Sequence, residues 1–87
     1  MKNKIVTITG ATSGIGWATA LAFKKIGAKL IICGRRDEKL RKLYGILGNN
    51  TQILKFDVRD KKAVFDAFNS LPEDWKNIEI LIHPKSY

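Results

Sequence analysis

Thr9-Gly10-Ala11-Thr12-Ser13-Gly14-Ile15-Gly16 is the stretch that decides the fold of this chain. It follows the short apolar run Ile5-Val6-Thr7-Ile8, which predicts a strand that is covered on both faces. A helical pattern begins directly after it. A glycine-rich turn between a parallel strand and a helix presents unpaired backbone N–H groups at the positive end of the helix dipole. The stretch therefore predicts a binding site for a phosphate group.

Each glycine of this turn has its own expected role. Gly10 permits a sharp exit from the strand, Gly14 lets the backbone approach a pyrophosphate, and Gly16 lets the helix pack closely on the sheet. The spacing alone is also compatible with a tight connection that binds nothing, but the flanking strand and helix favour a ligand. The residues predicted to bind it are Gly10, Ala11, Thr12, Ser13, Gly14, Ile15 and Gly16.

The rest of the chain alternates helices with strands. Further strands are predicted at residues 28–33, 52–56 and 78–82, and Asp37 and Asp60 are predicted to cap the second and third helices. A polar loop is expected at residues 73–77. This order predicts one α/β domain over residues 1–87, with a Rossmann-type doubly wound parallel sheet in strand order 3-2-1-4. Ligands of such sheets bind at the carboxyl ends of the strands.

The first helix carries apolar residues that recur at helical spacing. They are Ile15, Ala18, Ala22 and Ile26, with Leu21 beside them. This periodicity predicts that these side chains form the buried face of the helix.

The composition limits the classes of function. The net charge of +8, from sixteen Lys and Arg against eight Asp and Glu, suits a phosphorylated ligand, an anionic surface or nucleic acid. The basic residues are scattered, so nucleic-acid binding is the least favoured alternative. No apolar run reaches the roughly 18 residues of a membrane span. Cys33 lies alone in an apolar strand, which favours a buried structural thiol over a reactive one and predicts a cytoplasmic protein.

The turn from Thr9 to Gly16 resembles the cofactor turn of the short-chain dehydrogenases/reductases. The resemblance extends from about Ile5 to Ile82 and implies an oxidoreductase that uses a nicotinamide cofactor. The segment 71–82 is similar to the NADP-dependent serine and 3-hydroxy acid dehydrogenases. Besides the turn, the most specific stretches are Gly34-Arg35-Arg36, Phe56-Asp57-Val58-Arg59 and Leu71-Pro72-Glu73-Asp74-Trp75.

The end of the second strand predicts which nicotinamide cofactor is bound. NAD requires an acid about twenty residues after the glycines, where it accepts from the ribose hydroxyls. This chain has Arg35 and Arg36 there, and a guanidinium group pairs bidentately with the 2′-phosphate of NADP. Asp37 comes one residue too late for the ribose. The sequence therefore predicts NADP(H), the alternative being that both arginines are merely solvated.

The end of the third strand carries Asp57 and Val58. The resemblance implies that Asp57 accepts a hydrogen bond from the exocyclic amine of adenine and that Val58 packs near the ring. The alternative is that Asp57 is only a polar strand end.

The family pattern is broken after the fourth strand. The family continues with Asn-Asn-Ala-Gly, whereas this chain has His83-Pro84-Lys85-Ser86 followed by Tyr87. The catalytic Ser and the Tyr-x-x-x-Lys pair of the family would come later than residue 87. We therefore expect a truncated NADP-binding domain with no catalytic residue, and the lone His83 predicts no metal site.

Two further readings stay open for such a chain. It could be a nucleotide-binding or a self-associating module without chemistry of its own. The predicted fourth strand would present an apolar edge with unpaired backbone groups, beside a bare sheet face. The sequence therefore predicts a homo-oligomer formed through that strand or that face.

Overall fold

Strands and helices alternate through residues 3–83, which are the residues that the computed structural model of the chain describes. The elements are β1 (Ile5–Ile8), α1 (Gly14–Lys25), β2 (Lys29–Gly34), α2 (Asp37–Leu47), β3 (Thr51–Lys55), α3 (Lys61–Asn69) and β4 (Ile80–Ile82). A single 3-10 turn, Glu73–Trp75, precedes β4. Within these residues no helix has the length and apolar character needed to cross a membrane.

The four strands form one parallel sheet in the order β3-β2-β1-β4. Ile8 of β1 lies opposite Ile32 of β2 and Ile82 of β4, so the carboxyl ends of the central strands are level. The chain adds β2 and β3 on one side of β1 and then β4 on the other. The predicted fold class and strand order are confirmed, and the turn after β1 lies where the direction of strand addition reverses.

The sheet is covered on both faces, because successive side chains of a strand point to opposite sides. One face packs against α1 and α2, and its buried residues include Val6, Ile8, Leu30, Ile32, Ala20, Leu40, Leu43 and Leu47. The other face packs against α3 and the segment before β4, and its buried residues include Ile5, Ile31, Cys33, Leu54, Phe56, Leu71 and Trp75.

The cap predicted at Asp60 is confirmed, since its carboxylate accepts from the backbone N–H of Ala63 at 3.1 Å. The cap predicted at Asp37 is wrong. Asp37 is the first residue of α2, and its carboxylate accepts instead from Arg41 Nε, one turn later, at 2.8 Å. Arg36 takes the cap position without a side-chain hydrogen bond to the helix.

The predicted buried face of α1 is also wrong. Gly16 and Ala20 are the buried residues of this helix, whereas Ile15 and Ile26 are each 52% exposed. Ala18 and Ala22 are exposed as well. The start of α1 lies against the turn after β1, where only glycine fits at position 16, and the helix packs on the core through Ala20 with Trp17 and Phe23 partly buried beside it.

Trp75 was expected in a polar loop, but it is 6% exposed and belongs to the core on the α3 side. The ammonium of Lys29 lies 4.2 Å from the centre of its ring, which is a cation–π contact. A lone tryptophan among charged residues gives no periodicity, so the pattern did not indicate that it is buried.

Gly16→Ala tests the close packing of α1. An added Cβ would lie 2.2 Å from the carbonyl oxygen of Gly10 and 2.9 Å from Ala11 Cα, and both are backbone atoms that cannot rotate away. We expect the free energy of unfolding to fall by about 3 kcal/mol, measured by urea denaturation.

Gly45→Ala is the matched control. It lies inside α2, and its added Cβ would meet no atom within 4 Å. We expect it to stabilise the protein by about 0.5–1 kcal/mol, since alanine is the better helix former. A Gly16→Ala protein as stable as the parent would contradict the packing described.

Candidate functional site

The carboxyl ends of β1, β2 and β3 open into a cleft of about 520 Å³. Its walls come from the turn after β1, from the end of β2 with the first turn of α2, and from the segment after β3. The lining residues are Gly10, Thr12, Ser13, Gly14, Gly34, Arg35, Arg36, Lys39, Phe56 and Val58. Three motifs that are separated in the sequence thus form one site.

Ser13 holds the turn after β1 in shape. Its hydroxyl donates to the carbonyl of Gly10 at 2.8 Å and accepts from the backbone N–H of Gly16 at 3.1 Å, so Ser13 is the N-cap of α1. Gly10 has a φ of +61°, a conformation that favours glycine. The N–H groups of Gly14 and Ile15 are in the first helical turn and have no partner inside the helix. This geometry suits an anion.

Three short contacts fix the cleft walls relative to one another. The N–H of Ala11 donates to the carbonyl of Cys33 at 3.0 Å, and the N–H of Phe56 donates to the carbonyl of Gly34 at 2.9 Å. A Cβ added to Gly34 would lie 3.5 Å from the methyl group of the Thr12 side chain, so this side chain packs against the end of β2. Two backbone hydrogen bonds and one side-chain contact therefore hold the cleft walls together.

One wall of the cleft is basic. Arg35, Arg36 and Lys39 are all exposed and all line it. Arg35 Nη1 lies 3.8 Å from Asp57 Oδ2. Among residues 3–83, no carboxylate forms an ion pair within 4 Å of Arg36 or Lys39. The wall thus has a net positive charge and attracts anions.

Asp57 is engaged by Arg59. The Arg59 side chain donates to both carboxylate oxygens, with Nη2 2.8 Å from Oδ2, and its backbone N–H donates to Oδ1 at 2.9 Å. These bonds from the Arg59 side chain and then from its backbone lower the pKa of Asp57 to about 2. The carboxylate would have to give up one of these bonds to accept from adenine.

The predicted site residues fall into two groups. Those that line the cleft are Gly10, Thr12, Ser13, Gly14, Arg35, Arg36 and Val58. Those that lie beside it are Ala11, which is buried, Ile15, which points to solvent on α1, Gly16, which packs on Gly10, and Asp57, which pairs with Arg59.

Three lining residues were not predicted from the sequence as site residues, namely Gly34, Lys39 and Phe56. The position of Lys39 could have been predicted. It follows Arg36 by three residues, and residues three apart on a helix lie on the same face. Gly34 and Phe56 adjoin motifs that had been singled out, but nothing in their residue types indicates contact with a ligand.

His83 lies on the other side of β1, away from the cleft lining. The N–H of Thr9 donates to the carbonyl of Ile82 at 3.0 Å, and the Thr9 hydroxyl is hydrogen-bonded to Nδ1 of His83. This pairing extends the contact between β1 and β4 by one residue. Residues 84–87, to which no catalytic role was assigned, lie outside the described residues.

Asp57→Asn tests the ion pair with Arg59. The folded-state pKa of about 2 lies below the usual value near 3.9, so the stabilisation is fully present above pH 4–5 and is lost as the pH falls through 2. We expect the urea midpoint of the variant to lie below that of the parent at pH 7, and the difference to shrink towards pH 2–3.

Asp66→Asn is the control, since Asp66 pairs with Lys62 on exposed α3 at 3.2 Å and such surface pairs contribute little. A midpoint difference for Asp57→Asn that is the same at pH 7 and pH 3 would contradict the role given to the Asp57 carboxylate.

Comparison with known proteins gives the family. The family model of the short chain dehydrogenases matches residues 4–84. A probable NADP-dependent dehydrogenase of Haemophilus influenzae is 40% identical over 83 residues, which are 95% of this chain and 33% of that protein. The NADP-dependent 3-hydroxy acid dehydrogenase YdfG of Escherichia coli K12 is 43% identical over 79 residues, which are 91% of this chain and 32% of that protein.

A solved structure has the same fold. Serine dehydrogenase in its closed form, complexed with NADP+, superposes with a TM-score of 0.85 at 44% identity, over 88% of this chain and 31% of that one. The chain thus spans about a third of the length of these relatives. The family model matches nearly all residues of the chain, and the chain has the fold of a solved serine dehydrogenase. The chain therefore belongs to the short-chain dehydrogenases, a family of oxidoreductases.

Proposed function

We propose that this chain binds NADP(H) in the cleft at the carboxyl ends of β1, β2 and β3. The observation that carries the proposal is the juxtaposition of an anion-binding helix start with two arginines in one cleft. The relatives support it, because the two named above are described as NADP-dependent and the solved neighbour was complexed with NADP+.

Each wall of the cleft has a chemical counterpart in the cofactor. The N–H groups at the start of α1, with Gly14 leaving open space beside them, suit the pyrophosphate. Arg35 and Arg36 suit the 2′-phosphate, which they can bind bidentately. Val58, which is 52% exposed, offers apolar surface to the adenine ring, and the largely buried Phe56 adjoins it in the cleft lining. We also propose that Asp57 accepts a hydrogen bond from adenine, which would require the carboxylate to give up some of its hydrogen bonds from Arg59.

We assign cofactor binding, and no catalytic residue, to residues 1–87. Tyr44 is followed by Gly45-Ile46-Leu47-Gly48 and so does not begin a Tyr-x-x-x-Lys motif. Tyr44 lies on α2 and does not line the cleft. The bound cofactor would supply hydride transfer, whereas the chain's own residues would hold its adenosine and phosphate groups. The relatives named above are about three times as long as this chain, so we propose no substrate for it.

We also propose a cytoplasmic location. Cys33 is fully buried, and burial raises the pKa of its thiol to about 12, so it is an inert structural side chain. A single unpaired thiol in the core is compatible with the reducing cytoplasm.

Removing Arg35 tests the proposed cofactor site. Isothermal titration of the parent protein should give tighter binding of NADP+ than of NAD+. A charge-assisted hydrogen bond contributes about 1.5–3 kcal/mol, so Arg35→Ala should weaken NADP+ binding by about ten-fold or more and leave NAD+ binding nearly unchanged.

Lys62→Ala is the control for net charge. Lys62 lies on α3, is paired with Asp66 and does not line the cleft, so its removal should leave both affinities unchanged. Equal affinities of the parent protein for NADP+ and NAD+ would refute the assignment of Arg35 and Arg36 to the 2′-phosphate, and failure to bind NADP+ would refute the proposed function.

Self-association is a second property that we propose. β4 is an edge strand of the sheet, and its outer edge is open to a partner. This edge is shorter than predicted, since β4 has three residues and five were expected. Leu81 of this edge strand is nevertheless 66% exposed, and Ile15 and Ile26 of α1 are each 52% exposed. The net charge of +8 opposes association, but salt screens it over about 8 Å.

We expect a dimer in sedimentation equilibrium at tens of micromolar protein, and Leu81→Lys should shift it towards monomer. Phe65→Lys is the matched control, because Phe65 is 68% exposed on α3 and the change in charge is the same. A monomeric parent protein, or dissociation by Phe65→Lys alone, would rule out association through β4.

A further inference from the structure

We propose that Lys39 is a third cation of the 2′-phosphate site and increases the preference of the cleft for NADP+ over NAD+. This inference rests on the proposed function and deepens it. It starts from the cleft itself, in which Lys39 lies on the same wall as Arg35 and Arg36.

The position of Lys39 in α2 explains why its side chain reaches the cleft. The helix begins at Asp37, so Lys39 is its third residue. Helical side chains lean towards the N-terminus and cover the turn before their own Cα. The turn before Lys39 contains Arg36, which itself lines the cleft. The ammonium group is thereby directed towards the same space as the guanidinium group of Arg36.

The charges around the cleft leave Lys39 available to an anion. Asp37, the carboxylate next to Arg36, is bound to Arg41 Nε at 2.8 Å. Asp57 is bound mainly to Arg59, with Arg35 at 3.8 Å. Within the part of the chain that the structure describes, Lys39 has no carboxylate in ion-pair distance. Asp37 and Asp57 are thus paired with bases other than Lys39.

Like charges on one wall repel each other, and an anion between them relieves that repulsion. A phosphate monoester carries a charge of about −1.5 to −2 near neutral pH. Arg35 is shared with Asp57 at 3.8 Å, so Arg36 and a partly neutralised Arg35 leave part of that charge uncompensated. A lysine offers a compact point charge and no bidentate geometry. We therefore expect Lys39 to act through Coulomb attraction, in a way that depends on salt.

The ligand feature that Lys39 would recognise is present in only one of the two cofactors. NAD+ carries a hydroxyl at the 2′ position, which gives the ammonium no charge to bind. Lys39 should consequently change the affinity for NADP+ and leave the affinity for NAD+ almost as it was.

Lys39→Gln tests this inference, and Lys42→Gln is its matched control. Both residues are exposed on α2 and both changes remove one positive charge, but Lys42 does not line the cleft. By isothermal titration in 50 mM salt, Lys39→Gln should weaken NADP+ binding by about five-fold and leave NAD+ binding unchanged. Lys42→Gln should change neither, and 500 mM salt should reduce the effect of Lys39→Gln.

The outcomes separate this inference from the proposed function. If the parent protein prefers NADP+ and Lys39→Gln keeps the full preference, Lys39 is not part of the site although the proposed function stands. An equal loss for both cofactors would also overturn the inference, since it would place Lys39 near the pyrophosphate. A parent protein that binds neither cofactor would refute both. Circular dichroism of each variant checks that it is folded.

Discussion

The structure depends on how closely α1 approaches the turn that precedes it. A Cβ on Gly16 would lie 2.2 Å from the carbonyl oxygen of Gly10, so a larger residue would push the helix off the sheet. The same approach places the start of α1, whose first buried residue is Gly16, at the end of β1. The anion-binding geometry of this helix start thus depends on the contact at Gly16.

The topology could be predicted from the sequence because its signals are local. β1 and β2 contain short apolar runs, and Asp60 caps α3 as expected from its residue type. The position of the cleft followed from the order of the strands, since the carboxyl ends of parallel strands lie together. It could therefore be predicted, without knowledge of side-chain contacts, that the motifs around Gly14, Arg35 and Val58 lie close together.

What could not be predicted depends on distances between elements. The periodicity of Ile15 and Ile26 is helical, but periodicity does not say which face is buried when the buried residues are as small as Gly16. Asp37 has the residue type of a cap, yet Arg41 one turn later offers it a stronger partner. The same holds for Asp57, because no sequence motif indicates that the Arg59 side chain hydrogen-bonds to its carboxylate.

The cleft is built without any contribution from β4. Its walls are joined by the hydrogen bonds from Ala11 to Cys33 and from Phe56 to Gly34, which connect the ends of β1, β2 and β3 only. The described contacts of β4 are with β1, at the opposite side of that strand. Groups that would recognise adenosine and phosphate are therefore contained in one part of the sheet.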